Sequence, residues 1–140
     1  MEMTLAILKP DTVAAGNSGK VLAFLEGKGF KVRGLRVVHL TKDQAEAFYA
    51  VHKERPFFGS LVTFMTEGPV IPVALERDNA VAYLREVMGA TDVAKAAEGT
   101  VRKQWGTSIE RNAIHGSDSA ENAGVELGFY FAHTELISAR

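Results

Sequence analysis

The first apolar run of the chain, Met3 to Leu8, stops dead at Lys9-Pro10-Asp11. Proline has no amide hydrogen to give a sheet, so a strand there must end just before Pro10. A strand that short is unstable alone, and the rest of the chain has to supply its neighbours and its cover. Asn17 and Ser18 can cap a following helix whose Val21, Leu22, Phe24 and Leu25 fall at helical spacing, with Gly27 and Gly29 closing it. Phe30 to Leu40 alternates in part and predicts a second strand. Thr41 opens a capping box with Gln44, predicting a helix over Asp43 to Ala50. Phe57 to Met65 reads as another helix, closed by Gly68-Pro69. Val70 to Leu75 reads as a third strand, and Pro72 within it predicts an edge or an irregularity. Asp78 is expected to cap a helix through Met88, which Gly89 ends. Periodicity then fades from Ala90 to Ile114, apart from a turn or two around Val101 to Trp105, and Ser119 to Phe131 is amphipathic again.

With Ala113-Ile114-His115 as a fourth strand, this order is the split βαβ pattern of a ferredoxin-like α/β sandwich. It predicts a four-stranded antiparallel sheet covered by helices, expected on one face. The 140 residues show no linker, repeat or charge block, so one domain over 1–140 is expected. There is no cysteine, which removes disulfides, thiol nucleophiles and cysteine-ligated metals and fits a reducing compartment. Sixteen Lys+Arg balance seventeen Asp+Glu, so nothing draws the whole chain to nucleic acid or an anionic membrane. MEMTLAILKPD lacks the basic start and long apolar core of a signal peptide, and no stretch approaches the ~18 apolar residues of a spanning helix. A cytoplasmic protein is expected.

Chemistry concentrates at Asn112-Ala113-Ile114-His115-Gly116-Ser117-Asp118. His115 should stand at a strand end beside a new helix, capped by Ser117 or Asp118, whose free amides favour anions. Glu126 in that helix can orient the imidazole, expected by accepting the Nδ1 hydrogen. The other histidines read otherwise: His39 as a satisfied core or edge residue, His52 and His133 as surface. No HxH, HExxH or acidic-loop pattern is present, so a protein-ligated metal is not expected. Gly16 to Lys20 looks like a phosphate loop but lacks its spacing, with Val21 where Ser or Thr belongs. Lys9, Arg85 and Arg102, if gathered around His115, would offset phosphate charge. In Arg55-Pro56-Phe57-Phe58, one ring is expected in the core and the other as a platform for a base.

These residues, in this order, resemble the nucleoside diphosphate kinase family over essentially the whole chain. The resemblance is carried by Ile7-Leu8-Lys9-Pro10-Asp11, Phe48-Tyr49, Arg55-Pro56-Phe57-Phe58 and Gly68-Pro69-Val70. It continues through Asn79-Ala80-Val81, Gly89-Ala90-Thr91-Asp92, Gly99-Thr100-Val101-Arg102 and Asn112 to Ser119. Val93 and Glu98 stand where many members have proline.

The resemblance implies transfer of the γ-phosphate of a nucleoside triphosphate, typically ATP, to a nucleoside diphosphate, through a phosphohistidine on His115 in a ping-pong cycle. By the same resemblance Glu126 and Ser117 orient His115, Tyr49 stands beside it, and Lys9 lies near ribose and transferred phosphate. Phe57 and Ile109 hold the base, Arg85, Thr91 and Arg102 the phosphates, and Asn112 the ribose. Mg²⁺ is implied as an ion carried on the nucleotide, and a homo-oligomer, hexamer in preference to tetramer. The alternatives are an inactive nucleotide-binding homologue, which should have lost Lys9, Arg102 or His115, and a ferredoxin-like binding module for nucleotide or, in its second form, for RNA. The second predicts a basic face and strand aromatics, and Val32 to Val38 has none.

Overall fold

The computed structural model describes residues 1–139. Strand β1 is Glu2–Leu8, followed by helices α1, Pro10–Ala14, and α2, Ser18–Gly27, then β2, Lys31–Leu35. Helices α3, Lys42–Phe48, and α4, Phe58–Met65, are separated by a 3₁₀ turn at Ala50–His52. Next come β3, Ile71–Arg77, α5, Ala80–Met88, a 3₁₀ turn at Val93–Lys95, and α6, Val101–Trp105. The chain continues through β4, Ile114–Gly116, α7, Ala120–Tyr130, and α8, His133–Ser138. The four strands form an antiparallel sheet in the order β2-β3-β1-β4. This is the ferredoxin-like α/β arrangement read from the sequence.

Helices cover both faces of this sheet, not one. Ala6, Leu8, Val73 and Leu75 pack with Val21 and Leu25 of α2 and Leu84 of α5. Leu5, Ile7 and Ala74 pack instead with Ala45 of α3, Phe64 and Met65 of α4, Leu127 of α7 and Leu136 of α8. The physical sign lay in β1 itself: an uninterrupted apolar run, without alternation, is what a strand buried on both faces requires. Leu5, Ile7 and Leu8 are fully buried, each contributing roughly 1.5–3 kcal/mol against exposure.

Other local expectations shift for identifiable reasons. β3 lies inside the sheet although it contains Pro72; the irregularity falls on its neighbour. The β2–β3 ladder ends at Leu35↔Val73 and resumes only as the bridge Val38↔Val70. The Pro72 carbonyl accepts from Arg36 N at 3.1 Å, so its missing amide faces the gap in β2. The second strand is accordingly shorter than Phe30 to Leu40. The Thr41 box closes in both directions, Gln44 N to Thr41 Oγ1 at 3.1 Å and Thr41 N to Gln44 Oε1 at 2.9 Å. α3 nevertheless stops at Phe48, with Tyr49 as its C-terminal cap.

Asp78 does not cap α5. The capping position is Asn79, at φ 55° and without a side-chain bond, and Glu2 Oε1 of β1 accepts from Val81 N at 2.8 Å. α7 is capped by Ser119, whose Oγ accepts from Asn122 N at 3.1 Å, and not by Ser117 or Asp118. The fourth strand begins one residue later than expected, because Ala113 lies at φ 75° and outside the ladder.

Candidate active site

β4 carries His115 next to Ile7 of β1, and α7 passes over it carrying Glu126. A cavity of about 640 Å³ opens there. Its wall contains Lys9, Tyr49, Phe57, Arg85, Thr91, Arg102, Ile109, Asn112, His115 and Glu126. Of the site residues that the resemblance implies, Ser117 alone stands behind the wall, fully buried. The Gly16 to Lys20 run lies outside the cavity.

The imidazole is held by Nε2, not Nδ1. Nε2 lies 2.7 Å from Glu126 Oε1, and Ser117 Oγ donates to the same oxygen at 2.9 Å. This reverses the nitrogen expected from the sequence, since residue types say nothing about which ring edge faces the helix. Where Nε2 donates its hydrogen to Glu126, Nδ1 keeps its lone pair. Nδ1 has no hydrogen-bond partner among the described residues. Phe48 and Tyr49 stand edge-on to the ring, with centroids 5.6 and 6.3 Å away, and restrict its rotation. Gly116 leaves no choice of side chain beside the histidine: a Cβ there would run into Met88 Sδ and Leu84.

Cations share the cavity wall with the histidine. Lys9, 8% exposed, donates to Asn112 Oδ1 at 2.8 Å. Burial, followed by the Arg102 charge, pushes its pKa down to about 8. Arg102 donates to Gly89 O at 3.1 Å and Ile114 O at 2.8 Å, and its Nε is buried without a partner among the described residues. Burial and then Arg85 lower its pKa to about 10, so it stays charged at neutral pH. Arg85 donates to Gly116 O at 3.2 Å from an exposed position. Neighbouring cations, two of them buried, repel one another unless an anion enters between them.

Asn112 ties this wall together. Its Oδ1 accepts from Lys9, and its Nδ2 donates to Thr91 O at 3.2 Å and Ile109 O at 3.0 Å. Ala113 follows at φ 75°, and Ile114 N donates back to Asn112 O at 2.9 Å. That pairing is a γ-turn of the rare positive-φ kind, costing of order 1–3 kcal/mol for a residue other than glycine.

The cavity mouth differs. Phe57 is 46% exposed, Ile109 61% and Val51 84%. Phe58, the other ring of its pair, packs against the core, which settles which of the two faces the opening. His52, read from sequence as surface, lines the mouth with its ring 5.6 Å from Phe57. His133 is exposed, and His39 Nε2 lies 2.7 Å from Thr66 O. Sequence reasoning also passed over Glu110 and Val125 in the wall, and took Asp118 for a helix cap rather than a wall residue. None has a local pattern that marks it, though Asp118 belongs to the His115 motif. Its carboxylate is held below the usual range, first by a 2.6 Å bond from Asn122 Nδ2. Burial holds the Tyr49 phenol well above its ordinary value, and therefore protonated. Among the described residues, no three His, Cys, Asp or Glu side chains gather as a metal site. No helix among them is long and apolar enough to cross a membrane.

Known proteins resemble this chain over nearly its full length. The family model described as nucleoside diphosphate kinase matches residues 2–136. A nucleoside diphosphate kinase of Geotalea daltonii is 57% identical over 137 residues, covering 98% of this chain and all of that one. One from Chlamydia felis is 51% identical and covers 99% of both chains. Among solved structures, the Aquifex aeolicus nucleoside diphosphate kinase superposes with a TM-score of 0.93 at 43% identity, over 96% of this chain and 97% of its own. By sequence over nearly its full length, and by fold, the chain belongs to the nucleoside diphosphate kinase family.

Proposed function

We propose that the protein moves the γ-phosphate of a nucleoside triphosphate, typically ATP, onto a nucleoside diphosphate by way of His115. The observation that carries this reading is the imidazole with Nε2 tied to Glu126 and Nδ1 unpartnered, in a wall of cations. The Nδ1 lone pair forms a bond to the γ-phosphorus while the bond from phosphorus to the β–γ bridging oxygen breaks, and the nucleoside diphosphate leaves with that oxygen. A second nucleoside diphosphate then attacks the phosphohistidine through a terminal β-phosphate oxygen, and the electron pair of the P–N bond returns to Nδ1. No proton has to leave the nucleophile, which suits an imidazole at neutral pH. Positive charge that builds on the ring is offset by Glu126, itself fixed by Ser117. The transition state is loose, so positioning and charge neutralisation supply the rate. Lys9, Arg85 and Arg102 do the second, and Thr91 adds a hydroxyl for the phosphates.

Asn112 and Lys9 meet the ribose, and the base lies between Phe57 and Ile109, where stacking discriminates little among bases. Tyr49, kept protonated, presents a phenol beside the ring. The substrate is the magnesium complex of the nucleotide, whose ion stays on phosphates and water. Asp118, whose carboxylate lies in the wall and is held below its usual range, would accept hydrogen bonds from water carried on that ion. We place the reaction in the cytoplasm, in one domain over 1–140, and in a homo-oligomer, hexamer in preference to tetramer. Sedimentation mass decides the assembly.

Incubation with ATP and Mg²⁺ alone should add one phosphoryl group to the chain, acid-labile and alkali-stable, on His115. Addition of GDP should discharge it as GTP. His115→Ala should do neither, losing at least about a thousandfold in turnover. A label that survives acid, or turnover near wild type in His115→Ala, would reject the nucleophile.

A further inference from the structure

Asn112 and His115 line the same cavity although they are three residues apart on a segment leading into a strand. In plain extended chain, residues an odd number apart face opposite sides. The γ-turn at Ala113 makes the difference by inserting a reversal between them. Nothing in alanine favours that conformation, so something outside the turn must hold it.

Three contacts from the start of α1 do so. Asp11 Oδ2 accepts from Ala113 N at 3.0 Å, Lys9 N donates to Ala113 O at 2.9 Å, and Thr12 Oγ1 donates to the same carbonyl at 2.8 Å. The peptides on both sides of Ala113 are thereby gripped from one short segment, Lys9 to Thr12. That segment also carries the Lys9 amine, which reaches Asn112. Among the described residues only Asp11 grips the amide side of the turn, and its carboxylate lies outside the cavity wall.

We propose that Asp11 is a positioning residue for phosphoryl transfer. Its carboxylate holds the Asn112–Ala113–Ile114 turn in its positive-φ form, and through the turn sets His115 Nδ1 against Lys9, Asn112 and the phosphate they hold. The inference rests on the reading of His115 as phosphoryl acceptor. Without the Asp11 bond, the Ala113 peptide relaxes toward ordinary backbone and the relative placement of Asn112 and His115 is lost. Displacements of about 1 Å between reacting groups cost on the order of a hundredfold in rate.

The test is a double-mutant cycle read in single turnover, as the rate at which ATP phosphorylates His115. In the native background, Asp11→Ala should slow that step about 10- to 100-fold. In an Ala113→Gly background, where positive φ carries no steric penalty, the same change should cost less than about fivefold. Asp11→Asn, whose amide oxygen can accept from Ala113 N, should recover most of the native rate. Where Asp11→Ala does not fold, Asp11→Leu has nearly the shape of aspartate and no acceptor. An unchanged rate in Asp11→Ala would overturn the proposal. So would an equal loss in both backgrounds, because the effect would then bypass the turn. An Asp11→Asn variant as slow as Asp11→Ala would overturn it too, by pointing to charge on Lys9. Native protein that gains no phosphate on His115 would instead fail the reading beneath it, and the two failures are separable in one experiment.

Discussion

The cationic end of the cavity is buried and hydrogen-bonded, whereas its mouth is exposed and apolar. Lys9, Arg102 and Asn112 are each less than 9% exposed and tied to neighbours by bonds of 2.8–3.2 Å. Phe57 is 46% exposed and Ile109 61%, and no side-chain hydrogen bond is open to either. Burial and hydrogen bonds hold the first region's atoms in place, which the proposed in-line transfer would require. The second offers a slot of indefinite grip that accepts any flat ring. On the proposed reading, broad use of bases and strict handling of phosphate would both follow from one division of labour within about 640 Å³.

Arg102→Ala attacks the ordered end and should have the largest effect on charge neutralisation. It removes a buried guanidinium and leaves the Gly89 and Ile114 carbonyls unpartnered. A fall in kcat of about a hundredfold to a thousandfold is expected, with the melting temperature measured alongside to separate chemistry from stability. A loss confined to KM would move Arg102 out of the transition state and into ground-state binding.

Acidity sharpens the same contrast. The Lys9 pKa stands at about 8, well under the ordinary lysine value, because burial disfavours its charged form. In free protein the amine is charged below pH 8 and neutral above it. Affinity for a nucleotide polyphosphate should therefore fall as pH rises past 8, by up to about tenfold per pH unit once the amine is neutral. Stability moves the other way. The cost of burying the charged amine is fully present below the folded pKa and fades between about pH 8 and 10.5. Bound phosphates raise the amine's pKa, so binding at pH 8.5 should take up a proton, measurable by calorimetry in buffers of different ionisation enthalpy. Lys9→Met should abolish that uptake. Proton uptake that survives the substitution would assign it to another group.

What could be read from the chain divides along similar lines. The stop at Pro10, the Thr41–Gln44 box and the glycine ending α5 are local events, carried by residues within a turn of one another. Glu2 capping α5 and Asp11 gripping Ala113 join positions 79 and 102 residues apart, and no spacing rule reaches them. Lys9 and Arg102 show why the site needed the family resemblance. Taken singly, each reads as a solvated charge, and only burial distinguishes it from one. The edge of the His115 ring is set by where α7 crosses β4, a packing fact with no trace in residue type. His52 was hidden for the opposite reason, since a histidine in a polar connector is ordinarily surface.

The smallest effect should come from the mouth. Stacking of a base on an aromatic ring is worth roughly 1–3 kcal/mol by truncation. Phe57 is nearly half exposed, so water already competes for its face, and Ile109 remains to cover the base. Phe57→Ala should therefore raise KM about five- to tenfold, near the lower bound of that range, for adenine, guanine and cytosine nucleotides alike. kcat should move by less than about twofold, because the ring is made for uniform binding and touches no developing charge. The decisive measurement is the pair kcat and KM for three donors under one condition. A loss in kcat comparable with that of Arg102→Ala would mean the base slot also aligns the phosphates, and the two regions would no longer be separable. A loss confined to one base would show that the mouth selects, and Glu110, the carboxylate in the adjoining wall, would be the group to replace next.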